Sequence, residues 1–194
     1  MIRTFLFAIA LSLVASMAAA QENQPRTPKD PPSDAKQQAR TPPSQTSPIE
    51  GDTWIGMRAH DFELDGSFGR PVKLSNLRGQ WVVLLFADRK EDLKKLKGID
   101  AELRAIGALV VGVAHEKSRT LNQYAKRDTI PFLMLADPTG QVCSVYGLYN
   151  HLRDETIPAM LVLDLQGYVR MALLGRIPPP AQTAALARFA VTDL

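Results

Sequence analysis

The sequence predicts an α/β domain with a mixed central sheet flanked by helices. Three observations carry that prediction. Val82 to Phe86 is an unbroken apolar run rich in β-branched residues, the pattern of a strand buried on both faces. It runs through a polar turn at Asp88-Arg89-Lys90 into Leu93, Leu96, Ile99, Leu103 and Ile106, whose spacings of three and four mark a helix. Near the C-terminus the pattern changes. Ala159 to Leu163 and Tyr168 to Leu174 read as two strands joined by Asp164-Leu165-Gln166-Gly167, an antiparallel hairpin. Alternating strands and helices followed by a hairpin give a sheet with both parallel and antiparallel neighbours.

The remaining elements follow in order. Met57 to Leu64 alternates polar and apolar residues and predicts a short strand, with turn signals at Asp65-Gly66 and Phe68-Gly69. Val72 to Leu74 predicts a second short strand that closes a hairpin. Ser75 to Gly79 predicts a single helical turn stopped by glycine. After the long strand and helix, Gly107 ends the helix and Ala108 to Ala114 is a second all-apolar strand. Ser118 to Lys126 predicts a helix with Leu121, Tyr124 and Ala125 inward. Phe132 to Leu135 predicts a strand closed by the turn Asp137-Pro138-Thr139-Gly140. A short helix then carries Val142, Val145 and Tyr146, and Pro180 opens a last helix with Leu186 and Phe189 on its apolar face.

The termini and composition bound the function. Residues 1–20 read as a secretory signal peptide: Arg3 near the start, an uncharged apolar run from Thr4 to Val14, and Ala18-Ala19-Ala20 as a small-residue end. The run is short for a membrane span, so cleavage is expected rather than stable membrane insertion, and the mature protein is expected to be periplasmic or extracellular. Residues 21–52 hold seven of the fourteen prolines among Gln, Ser, Thr and charged residues. Such a composition cannot bury enough apolar surface to offset its ordering entropy, so a linker is expected there. Residues 53–194 are left for one domain with a real core. Without Arg3 the chain has 22 basic and 20 acidic residues, a balance that implies neither nucleic acid nor an anionic membrane as partner.

The ordered landmarks resemble the peroxiredoxin-like redoxins, the alkyl hydroperoxide reductase and thiol-specific antioxidant family of the thioredoxin fold. Ala59-His60-Asp61-Phe62 is similar to the family's Ala-Pro-Asp-Phe, with His60 in place of proline. Val72 to Gly79 followed by Trp81 to Phe86 resembles the approach to its first core strand, and Gly107 to Val113 its second. Phe132 through Tyr146-Gly147 and Val162 through Arg170 resemble its later landmarks and closing hairpin. The resemblance implies a thioredoxin-like sheet with an N-terminal hairpin extension, a thiol-based peroxidase or oxidoreductase activity with no cofactor, and a tendency to form homodimers.

The chemistry of that family does not carry over cleanly. Its peroxidatic cysteine stands at the start of the helix after the first core strand. In this sequence the corresponding positions are Asp88, Arg89, Lys90 and Leu93. The family's arginine aligns near Pro158, and Ile157-Pro158 resembles instead the cis-proline of thioredoxin-like proteins. The one cysteine is Cys143. It reads either as a thiol activated by the start of its helix or as a small packing residue, and no second cysteine exists to resolve a sulfenic acid. His60, His115 and His151 lack metal-ligand spacing. His115 with Glu116 ends a predicted strand, where open sheets bind ligands or where a histidine is simply solvated. Two expectations follow. One is a degenerate redoxin that binds or scaffolds an unknown protein partner, with the surface between Asp88-Arg89-Lys90 and Pro158 as one place to do so. The other is a one-cysteine thiol peroxidase that uses Cys143 with an external thiol reductant.

Overall fold

The computed structural model describes Trp54 to Asp193. The expected signal peptide (1–20) and linker (21–52) lie outside the described residues.

The Val82–Phe86 run is the middle of β3 (Trp81–Ala87), and Val83 to Ala87 are each fully buried. Burying side chains of this size stabilises a fold by about 1.5–3 kcal/mol each. β3 pairs in parallel with β4 (Ala108–Ala114) and antiparallel with β8 (Ala159–Leu163). The whole sheet has seven strands in the order β2-β1-β5-β4-β3-β8-β9. β1 (Glu63–Gly66) and β2 (Pro71–Lys73) form the N-terminal hairpin at one edge. β5 (Leu133–Ala136) joins that hairpin to β4, and β9 (Val169–Leu174) is the other edge. This is the mixed sheet that the sequence predicts.

Alternation along β3 divides the core. Val83, Leu85 and Ala87 face one layer, built from α1 (Lys90–Lys94), a 3-10 stretch (Lys95–Ile99), α2 (Asp100–Ala105), α3 (Ser118–Arg127) and α5 (Pro180–Asp193). Val82, Leu84 and Phe86 face the other layer. It is built from α4 (Gln141–Val145), Leu74 and the segment carrying Trp54, Ala59 and Phe62. Leu93, Leu96, Ile99 and Leu103 all turn inward as their spacing requires. The helix they predict is nevertheless broken into three pieces. Gly98 lies in the middle piece, and glycine is the weakest ordinary helix former.

Four expectations are corrected. The Met57–Leu64 strand is shorter and later: only Glu63 to Gly66 pair as a strand, and Arg58 makes an isolated bridge to Tyr168. Phe189 points outward, with an exposure of 50%, and Val145 of the short helix is likewise exposed, by 52%. The inward places of these two helices are taken by Cys143 and by Thr183, Ala184, Ala187 and Ala190, small residues that let α5 pack closely on α2 and the 3-10 stretch. A two-stranded ribbon of β6 (Tyr149–Asn150) and β7 (Glu155–Thr156) stands where no element was expected. The Ile157–Pro158 bond is trans, as is every peptide bond among the described residues, so Pro158 is not a cis-proline.

Candidate functional site

Two junctions of similar construction lie at the carboxyl ends of two parallel strands, β3 and β5, on either side of β4. The first follows β3. Asp88 is half-buried, and its Oδ1 accepts the backbone N–H of Thr156 at 3.0 Å. Arg89 is exposed and precedes α1 with extended backbone. Lys90 opens the helix with its Nζ ion-paired to Glu116 and 5.6 Å above the Tyr124 ring. The hydrogen bond to Glu116 raises the Lys90 pKa above its ordinary value, against the opposing effect of burial. Lys90 is therefore a fixed cation, not a nucleophilic amine. Leu93 is fully buried. A Cβ on Gly112 would lie 2.7 Å from Leu93 Cδ1, so the β4 glycine makes the room that this leucine fills. The structure thus brings Asp88, Arg89 and Lys90 to one surface and removes Leu93 from it into the core.

The second junction follows β5. Asp137 is buried, and its Oδ2 accepts the backbone N–H of Cys143 at 2.9 Å, tying the turn to α4. Gly140 holds a left-handed φ of +64°, and a Cβ there would lie 2.3 Å from the Tyr149 ring. Only glycine satisfies both demands. Cys143 has no exposure, and its Sγ accepts from Thr156 Oγ1 at 3.6 Å. Burial pushes its thiol up to about 12, and Asp137 adds to the rise, while the Thr156 hydrogen bond opposes it. Activation of a thiolate needs the reverse: exposure and positive charge. The surroundings of Cys143 are those of a packing residue.

Thr156 connects the junctions, bonding Asp88 through its backbone and Cys143 through its side chain. It went unnoticed in the sequence because a threonine in a two-residue strand carries no periodic signal. Beside it, the Tyr149 ring lies edge to face between His115 and His151, with centroids 5.3 and 4.9 Å away. The Tyr149 hydroxyl donates to Asp154, which raises its pKa to about 12. His115 and His151, far apart in the chain, thus share one aromatic neighbour. His60 lies elsewhere, against Tyr146. Among the described residues no three His, Cys, Asp or Glu side chains gather as metal ligands.

A crevice of about 430 Å³ opens on the far side of α1. Its walls include Asp92, Lys95, Leu96, Pro158 and the segment from Gly175 to Pro180. Lys95 is ion-paired to Asp92 at 2.6 Å. Pro158 therefore stands between the first junction and a half-apolar crevice, where the resemblance places an arginine.

Comparisons with known proteins agree with this fold. The family model described as "AhpC/TSA family" matches residues 55–172. The chain is 24% identical over 102 residues to peroxiredoxin Bcp of Bacillus subtilis, across 50% of this chain and 65% of that protein. It is 30% identical over 126 residues to the chloroplastic peroxiredoxin Q of Sedum lineare, across 61% and 67% of the two. The match to the first of these spans just under two thirds of its length. Among solved structures, AhpC of Enterococcus faecalis superposes with a TM-score of 0.64 at 18% identity, covering 71% of this chain and 92% of that one. The peroxidoxin BcpB of Mycobacterium tuberculosis gives 0.63 at 22% identity, covering 72% and 97%. The chain belongs to the AhpC/TSA family, as a peroxiredoxin-like member that lacks the usual active-site cysteine.

Proposed function

We propose that this protein is a degenerate redoxin, exported by its N-terminal segment, that keeps the family framework for binding and not for peroxide turnover. The observation that carries the reading is the state of the one thiol: Cys143 is buried, hydrogen-bonded and raised to about 12. The thiolate, not the thiol, is the nucleophile, so at neutral pH almost none of the reactive form is present. The junction that would host a peroxidatic cysteine holds the Lys90–Glu116 ion pair instead.

Binding in this reading uses the surface from Asp88-Arg89-Lys90 across Pro158 to the crevice beyond it. Apolar walls of Pro158, Ile177 and Pro179 with exposed Arg176 at the crevice and exposed Arg89 at the junction suit a protein partner, while Lys95 is already paired with Asp92. A second copy of the chain is one candidate partner, and the oligomeric state of the purified protein distinguishes a homodimer from other partners. Among the described residues no helix is long and apolar enough to cross a membrane.

The one-cysteine peroxidase alternative requires Cys143 to meet a hydroperoxide and an external thiol reductant, and its burial opposes both. The deciding experiment is hydroperoxide consumption by the full chain with dithiothreitol, wild type beside Cys143→Ser. Equal background rates in the two proteins support the binding reading. Turnover in the wild type that disappears in Cys143→Ser overturns it.

A further inference from the structure

We propose that the cleft beside Trp54 binds an aliphatic carboxylate of medium chain length. This cleft is on the opposite face of the sheet from Lys90 and Leu93, so the inference is independent of the binding surface proposed above. Its walls are apolar: Trp54, Met57, Val145, Tyr146 and Val169. The cleft has a volume of about 260 Å³. One buried water needs only about 10–15 Å³ of such space, so the cleft has room for a flexible aliphatic chain. It approaches the lower end of small-molecule sites, about 300 Å³.

The cleft is held open by its own backbone. Gly56 N–H donates to Val169 O at 2.7 Å, Val169 N–H donates to Met57 O at 2.9 Å, and Ala59 N–H donates to Gly167 O at 2.9 Å. These bonds tie the Trp54-to-Ala59 segment along the end of β9, so no rearrangement is required to form the space. The Tyr146 ring lies 5.7 Å from Trp54, and its hydroxyl is already committed to the His60 carbonyl at 2.7 Å. The Tyr146 hydroxyl is therefore satisfied and asks nothing of a ligand.

Charge selects the other end of the ligand. Besides Tyr146, the ionisable residues that line the cleft are Arg58 and His60, both exposed, and no carboxylate lines it. Neighbouring Asp61 does not line the cleft; it accepts from the Ser75 N–H at 2.9 Å and pairs with Lys73, which offsets its charge. Arg58 is placed by its backbone bridge to Tyr168, with its guanidinium 5.2 Å above that ring. An apolar interior with a fixed cation at its rim suits a molecule with an apolar body and one anionic end. Ile55 and Met57, exposed by 54% and 57%, extend the apolar surface at the rim.

The test is isothermal titration of the full chain with octanoate, with octanol as the uncharged control. Saturable binding of octanoate is expected. Arg58→Gln should weaken it by up to about five-fold, the range of an exposed ion pair, and octanol should bind more weakly than octanoate to a similar degree. Val145→Trp adds bulk at an exposed wall position and should abolish binding with the fold intact by circular dichroism. Absence of saturable octanoate binding overturns the proposal. So does equal binding of octanol and octanoate with no effect of Arg58→Gln. Wild-type affinity in folded Val145→Trp overturns the location.

Discussion

The two strand-to-helix junctions separate requirements that a thiol enzyme must unite. The junction after β3 has exposure, a helix start and a cation, but presents lysine and a buried leucine where a thiol would be needed. The junction after β5 has the thiol, but has packed it under the sheet beside a carboxylate. Each is internally well made. Glu116 neutralises Lys90, Gly112 accommodates Leu93, and Asp137 accepts the Cys143 amide of α4. In the proposed reading the fold is kept in detail while neither place offers a reactive cysteine, because packing and reactivity place opposite demands on a sulfur atom.

Several substitutions break or sharpen this contrast, and the largest effect belongs to the residue buried at the first junction. Leu93→Ala removes a fully buried side chain, and truncations of this kind cost about 2–5 kcal/mol. Urea unfolding should show that loss. A change below about 0.5 kcal/mol, the size of ordinary surface substitutions, would show that Leu93 is not the structural replacement described here. Asp137→Ala leaves the buried Cys143 N–H without its acceptor, at a cost of about 1–3 kcal/mol. Since Asp137 also raises the thiol pKa, the same variant should alkylate at lower pH than wild type. An unchanged pH profile would contradict that electrostatic coupling.

The Lys90–Glu116 pair should be worth less. Lys90→Met is expected to cost less than about 1 kcal/mol, because the pair is partly solvated. Its pKa is raised in the folded state, so its contribution is complete below the unfolded value of 10.5 and fades as pH rises through the higher folded value. The difference between wild type and Lys90→Met should therefore be constant near neutrality and shrink in strong alkali. A difference that grows with pH has the wrong sign. Lys90→Cys sharpens the contrast directly: the introduced thiol should be fully alkylated before Cys143 reacts detectably.

The sheet was legible in the sequence because its central strands are unbroken apolar runs, and the helix after β3 because its leucines recur at helical spacing. Periodicity failed where elements are short. β6 and β7 have two residues each, below the length at which any alternation can register, and the N-terminal segment alternates without being a paired strand over most of its length. It failed at Phe189 because apolar character says that a residue prefers burial, not that a neighbour exists to cover it. At the site, the missing cysteine was readable, and so was the packing option for Cys143. The Lys90–Glu116 pair, the Thr156 bridge and the shared Tyr149 neighbour were not, since each joins residues that only the folded sheet brings together.

The central claim is that the protein has no accessible thiolate, and alkylation of Cys143 tests it most directly. The rate of modification by iodoacetamide is measured on the folded full chain between pH 7 and 9 and compared with the rate in urea. The structure predicts that Cys143 is protected when folded, with no inflection near the ordinary thiol value of about 8.5, and modified completely when unfolded. Rapid stoichiometric modification of the folded protein at pH 7 would show a reactive thiolate and contradict the account.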